Sequence, residues 1–156
     1  MIRKITLAVA DLAIAATAVL AASHAGPFDG ASKARQSHMR LNGHNLSILG
    51  AMAKGKIDYD ADAASAAAAN LAALARMSQN GYWPAGSDSF ELENTRALPE
   101  LWQKFDDVTT KIDALAVATA AMESAAGSGL EALQAAMGPV GGACGACHKA
   151  YRKPNS

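Results

Sequence analysis

Cysteine is scarce in this chain: 156 residues hold two, and both fall in one short stretch near the C-terminus. A structural zinc site wants four ligands and a second Cys/His cluster at finger-like spacing, and the sequence offers none. Strand patterns are missing too, which argues against a thioredoxin-like redox pair, since that chemistry expects a βαβ setting. Net charge is also lacking, with 14 basic residues against 14 acidic ones. Without a basic block, nucleic acid is excluded as a natural partner. No internal repeat occurs, and the abundant alanine reads as helix propensity rather than low complexity.

What is there begins with Cys144-Gly145-Ala146-Cys147-His148. C-x-x-C-H is the pattern of covalent haem attachment, in which two thiols add across the vinyl groups and the adjacent imidazole reaches the iron. Residues three and four apart share a helix face, so one helix can anchor the macrocycle and ligate its metal. The expected cofactor is one haem c with its iron on His148.

The N-terminus reads Met1-Ile2-Arg3-Lys4, then a mostly apolar stretch to Ala22, then Ser23-His24-Ala25. A basic start, an apolar centre and small residues before a cut describe a secretory signal peptide over 1–25, cleaved after about Ala25. The charge-free run Leu12–Ala22 is shorter than a bilayer span. Export to the periplasm suits the motif, whose thiols need an oxidising compartment. Residues 26–156 are then long enough for one domain with one core.

Four helical segments emerge in it. The first runs from about Ala31 to Lys54, with Met39, Leu46, Leu49 and Ala53 at helical spacing and Gly55 ending it. Asp60 caps a second, carrying Ala64, Ala67, Leu71, Leu74 and Met77 until Asn80-Gly81. A long loop over 79–97 follows, with Trp83 and Phe90 expected to pin it to the bundle. Pro99 opens a third helix through Trp102, Phe105, Val108, Ile112, Leu115, Thr119 and Met122. The fourth places Leu130, Leu133, Met137, Val140, Cys144, Cys147 and Tyr151 on one stripe, with a kink or restart expected at Pro139. Amphipathic helices without strands imply an all-α antiparallel four-helix bundle holding the haem between helices.

In such a bundle the end of the last helix faces the start of the first, so His148 looks toward Met39. At 1.5 Å per residue, Met52 lies roughly 20 Å further along its helix and Met137 roughly 16 Å before His148. Met122 falls at the far end, while Met77 sits at the correct end and is the structural rival to Met39. His38 leaves its helix about 100° from Met39 and is expected to face solvent. That outward direction also argues against a distal acid/base group, and so against an enzyme.

The chain resembles the class II c-type cytochromes, the cytochrome c′ family. The likeness rests on Ala34–Met39, Leu49–Gly55, Tyr59-Asp60-Ala61, Leu98–Trp102 and Gly142–Arg152, and spans essentially all of 26–156. Met39 with the Leu49–Gly55 segment is most similar to the low-spin, methionine-ligated cytochrome c-556 subgroup. The resemblance implies an electron carrier with His148/Met39 ligation, serving redox protein partners from the periplasm without stable membrane insertion. The alternative within the family is a high-spin protein that binds nitric oxide or carbon monoxide under a noncoordinating Met39. The resemblance also implies haem contacts from Arg35 and Arg152, and a homodimer formed through the first two helices.

Overall fold

The computed structural model describes residues 26–154. The expected leader over 1–25 lies outside them. Five helices appear in chain order: α1 (Asp29–Ala53), α2 (Ala61–Arg76), the single-turn α3 (Glu100–Gln103), α4 (Phe105–Ala125) and α5 (Leu130–Tyr151). The four long ones form the bundle, and among the described residues the only extended pairing is one bridge between Ala97 and Arg152.

The helix ends follow local chemistry. Gly55 takes φ +63°, the Gly55 amide donates to Met52 and the Lys56 amide to Ala51, which is the double bond of a left-handed C-terminal stop. The Asp60 carboxylate accepts from the Ala63 amide at 2.8 Å and starts α2. The third expected helix is split at Lys104, whose φ of −127° and ψ of 44° are not helical. The break turns Phe105 outward, 43 % exposed, and removes it from the stripe that Val108 and Thr119 continue inward. Conversely α5 runs through Pro139 without ending. Gly138 precedes that proline, and lacking a Cβ it avoids much of the clash that usually pushes such a residue out of helical space.

Two ends can be told apart. At the closed end the α1–α2 connection meets the α4–α5 turn: the Tyr59 hydroxyl donates to the Ala126 carbonyl at 2.8 Å and accepts from the Gly129 amide at 3.0 Å. Below it lies the main core, where Leu49, Met52, Ala64, Ala68, Leu71, Met122, Leu133 and Val140 are all buried. Alanine faces let the helices approach closely, and Gly127 backs directly onto Ser65. At the open end the connection 77–99 crosses the bundle, and a smaller cluster of Leu101, Val108 and Tyr151 packs with Trp83, Trp102 and Cys147. Phe90, expected to pin this loop, is 77 % exposed. Trp83 and Trp102 do the pinning instead, edge to face with ring centres 6.1 Å apart.

Candidate functional site

Between the two packed regions the bundle opens into a cavity of about 660 Å³. Its walls come from α1 between Arg35 and Leu46, the first half of α4, the last turns of α5 and the long loop, with Ala75 of α2 and Leu101 of α3. Cys144, Cys147 and His148 line it together, half-buried, on the inner stripe that Leu133, Val140 and Tyr151 define. Burial pushes both thiols above their ordinary acidity range. His148 moves the other way: burial, then the positive charges of Arg152 and Arg96, hold its imidazole below the usual pKa. A neutral ring with a free lone pair is the form that binds a metal.

Opposite them stands Met39. It lines the same cavity, 43 % exposed, and among the described residues no other methionine does so. Met52 and Met122 are buried in the closed-end core. Met137 packs toward Gly50. Met77, the structural rival, lies instead in a groove between α1 and α2 with Leu41 and His44.

His38 departs from expectation. Rather than facing solvent, it is 5 % exposed, lines the cavity and packs edge to face with Tyr82 at 6.4 Å. The buried stripe of α1 runs through Ser32, Arg35, His38, Asn45, Leu49 and Met52. A polar stripe in the first half of the helix hid this inward face from hydropathy reasoning. The His38 Nδ1 is buried without a hydrogen-bond partner, and burial lowers the pKa of the ring.

Arg35 also lines the cavity, but its fork is committed to the loop. It donates to the Tyr82 carbonyl at 2.8 Å and to the Ser87 hydroxyl and carbonyl, each at 2.7 Å. Its guanidinium carbon sits 4.9 Å from the Trp83 ring centre and 5.8 Å from that of Trp102. Arg152 lines the cavity from the end of α5, alongside Arg40, Arg96 and Lys111, and among the described residues no carboxylate lines it.

Comparison with known proteins bears directly on this arrangement. The family described as Cytochrome C′ matches residues 30–152. The chain belongs to the cytochrome c′ family, the class II c-type cytochromes. It is 45 % identical over 119 residues to a cytochrome c-554 of Cereibacter sphaeroides, covering 76 % of this chain and 78 % of that one. It is 35 % identical over 127 residues to a cytochrome c-556 of Agrobacterium tumefaciens, covering 79 % and 94 %. A solved cytochrome c′ from Rhodobacter superposes with a TM-score of 0.79 at 35 % identity, covering 81 % of this chain and 98 % of that one.

The cofactor of this cytochrome is one covalent haem c, and the residues present fit it. The cavity is mostly apolar, carries both cysteines and a neutral imidazole, and sets cations rather than carboxylates where a macrocycle bearing two carboxylates would lie. Zinc finds no comparable fit: among the described residues no group of three or more His, Cys, Asp or Glu is arranged to hold a metal ion.

Proposed function

We propose that Cys144 and Cys147 carry the haem as thioethers, that His148 is its proximal ligand and Met39 its sixth, and that the protein is a periplasmic electron carrier with low-spin iron. One observation carries this reading: Met39 is the methionine lining the cavity that also holds Cys144, Cys147 and His148. When bound, the haem supplies a one-electron couple. The chain's own residues hold, orient and insulate it.

Burial and neighbouring guanidinium groups keep His148 neutral and able to ligate at ordinary pH. The Met39 thioether, a weaker donor than a second imidazole, favours the ferrous state and raises the reduction potential. Leu46, Leu101, Val108 and Leu115 keep water from the inner cavity wall. Gly145, Ala146, Lys149 and Ala150 are exposed on the outer side of the motif, and here redox partners approach through a small, transient contact. In this reading residues 1–25 direct export and are removed, and no bond-making chemistry is assigned. Among the described residues no helix is long and apolar enough to cross a membrane. The open apolar groove between α1 and α2, where Leu41 is 52 % and Met77 41 % exposed, is the face assigned to a second copy.

A high-spin, gas-binding protein is the second reading, and the 43 % exposure of Met39 is what favours it. The ferric optical and near-infrared spectrum separates the two. Low-spin bands with a sulfur-to-iron charge-transfer band are expected, and Met39→Ala should convert them to high-spin bands with ready carbon monoxide uptake. High-spin bands in the wild type would refute the carrier. A low-spin Met39→Ala variant would move the sixth position to another ligand, with His38 first in line because it is buried beside the same cavity.

A further inference from the structure

α1 and α5 meet at the closed end. There the Gln134 amide donates to the Ala53 carbonyl at 2.8 Å, and Met137 packs toward Gly50. Toward the open end the two helices stand on either side of the cavity, and the loop 77–99 spans them. On the α1 side it is held by Arg35 through Tyr82 and Ser87, and by Gln36 and Ser32 through Asn94. On the α5 side it pairs with the helix end. The Leu98 amide donates to the Tyr151 carbonyl and the Lys153 amide to the Arg96 carbonyl, both at 2.9 Å, and the Arg96 side chain donates to the Lys153 carbonyl. Between these anchors the Ser89 amide donates to the Ala97 carbonyl at 2.8 Å, so the strap is braced internally.

We infer that Arg35 is a positioning residue: by anchoring this strap it sets the separation between Met39 on α1 and His148 on α5, and with it the occupancy of the sixth iron site. The inference rests on the reading that Met39 ligates. Arg35 lies four residues before Met39, one helical turn away on the same side of α1, so a displacement of its turn displaces the thioether. Leu98 and Lys153 bracket the last turn after His148 in the same way on α5. The guanidinium is suited to the task because its planar fork reaches a carbonyl and a hydroxyl of different loop residues while its cation lies against the rings of Trp83 and Trp102. Lysine keeps the charge without the fork.

The test uses the haem-loaded protein and four variants: Arg35→Leu, Arg35→Lys, Ser87→Ala and Arg96→Gln. The readings are ferric spin state, carbon monoxide association rate and haem content, with Leu133→Ala at the closed end as a control for general loosening. Arg35→Leu should add high-spin character and speed carbon monoxide association about tenfold or more, the scale of a lost buried charge-assisted hydrogen bond. Arg35→Lys should fall between it and the wild type, and Ser87→Ala and Arg96→Gln should shift the same way by less. Should Arg35→Leu fail to fold, the two milder strap variants carry the test. Wild-type spectra and rates in all strap variants would overturn the inference while leaving Met39 ligation intact. An equal spectral shift in Leu133→Ala at matched loss of thermal stability would overturn it in favour of general loosening. A high-spin wild type would remove Met39 ligation and the inference together.

Discussion

The closed and open ends of the bundle are built from the same four helices by opposite means. At the closed end alanine, leucine and methionine fill the interior, and Ala64, Ala68, Met122 and Leu133 are fully buried. At the open end the walls are held apart, and cohesion comes from hydrogen bonds, two tryptophans and a loop. A region that must leave room for a cofactor cannot draw on direct helix contact. Its geometry is therefore specified by directional bonds, which hold a distance without filling the space between.

Changes at each end should separate these roles. The largest effect is expected from replacing both Cys144 and Cys147 by serine. Mass spectrometry should then find the chain without covalent haem, and amide exchange should quicken along the cavity walls of α4 and α5 while the closed end keeps its protection. Uniform protection would mean that the open end does not depend on its cofactor. Next, Leu133→Ala should cost about 2–5 kcal/mol of unfolding free energy, the usual range for emptying a packed aliphatic site. Denaturant titration would measure it, and a loss under about 1 kcal/mol would mean that the closed end collapses around the gap.

The smallest expected effect lies at the open end, where the Tyr151 hydroxyl donates to Asp107 at 2.5 Å. That bond, burial and the carboxylate charge push the phenol up to about 12. Lys111 and then Tyr151, as hydrogen-bond donors, hold Asp107 below the usual carboxylate range. A raised phenol stabilises the fold fully below the ordinary tyrosine range and loses that contribution as pH climbs through about 12. The depressed carboxyl works in reverse, its contribution fading as acid titrates it. Ultraviolet titration should find Tyr151 ionising about two units above an ordinary tyrosine, and Asp107→Asn should bring it back toward about 10. Unchanged ionisation in that variant would assign the shift to burial alone.

The same division explains what could be read from the chain. The bundle, the Asp60 cap, the Gly55 stop and the inner stripe of α5 from Leu133 to Tyr151 all follow from periodicity and end chemistry, and all appear, while Leu130, expected on that stripe, is 38 % exposed at the start of the helix. Motif and antiparallel register point to Cys144, Cys147, His148 and Met39, and these four line one cavity. What escaped depends on tertiary contacts. His38 eludes sequence reasoning because helical angle relative to Met39 fixes a direction but not which direction is inward. Phe90 looks like an anchor because aromatics usually bury, yet it is 77 % exposed, and the rings packed beside Arg35 are those of Trp83 and Trp102. The break at Lys104 carries no glycine or proline, so no local signal announces it. The pairing of residues 96–98 with the end of α5 joins segments more than 50 positions apart, beyond the reach of any local pattern.

Arg35 is 5 % exposed, and its hydrogen-bond partners are a hydroxyl and two carbonyls, none of them anionic. A guanidinium does not surrender its proton in a protein, so α1 keeps a fixed, buried positive charge at the cavity wall. Bulk salt screens such a charge far less than it screens one on the surface. A haem in that cavity brings two carboxylates of its own, and the field at its iron is the balance of those anions against this buried cation. The residue that braces the strap is thus also part of the electrical environment of the cofactor.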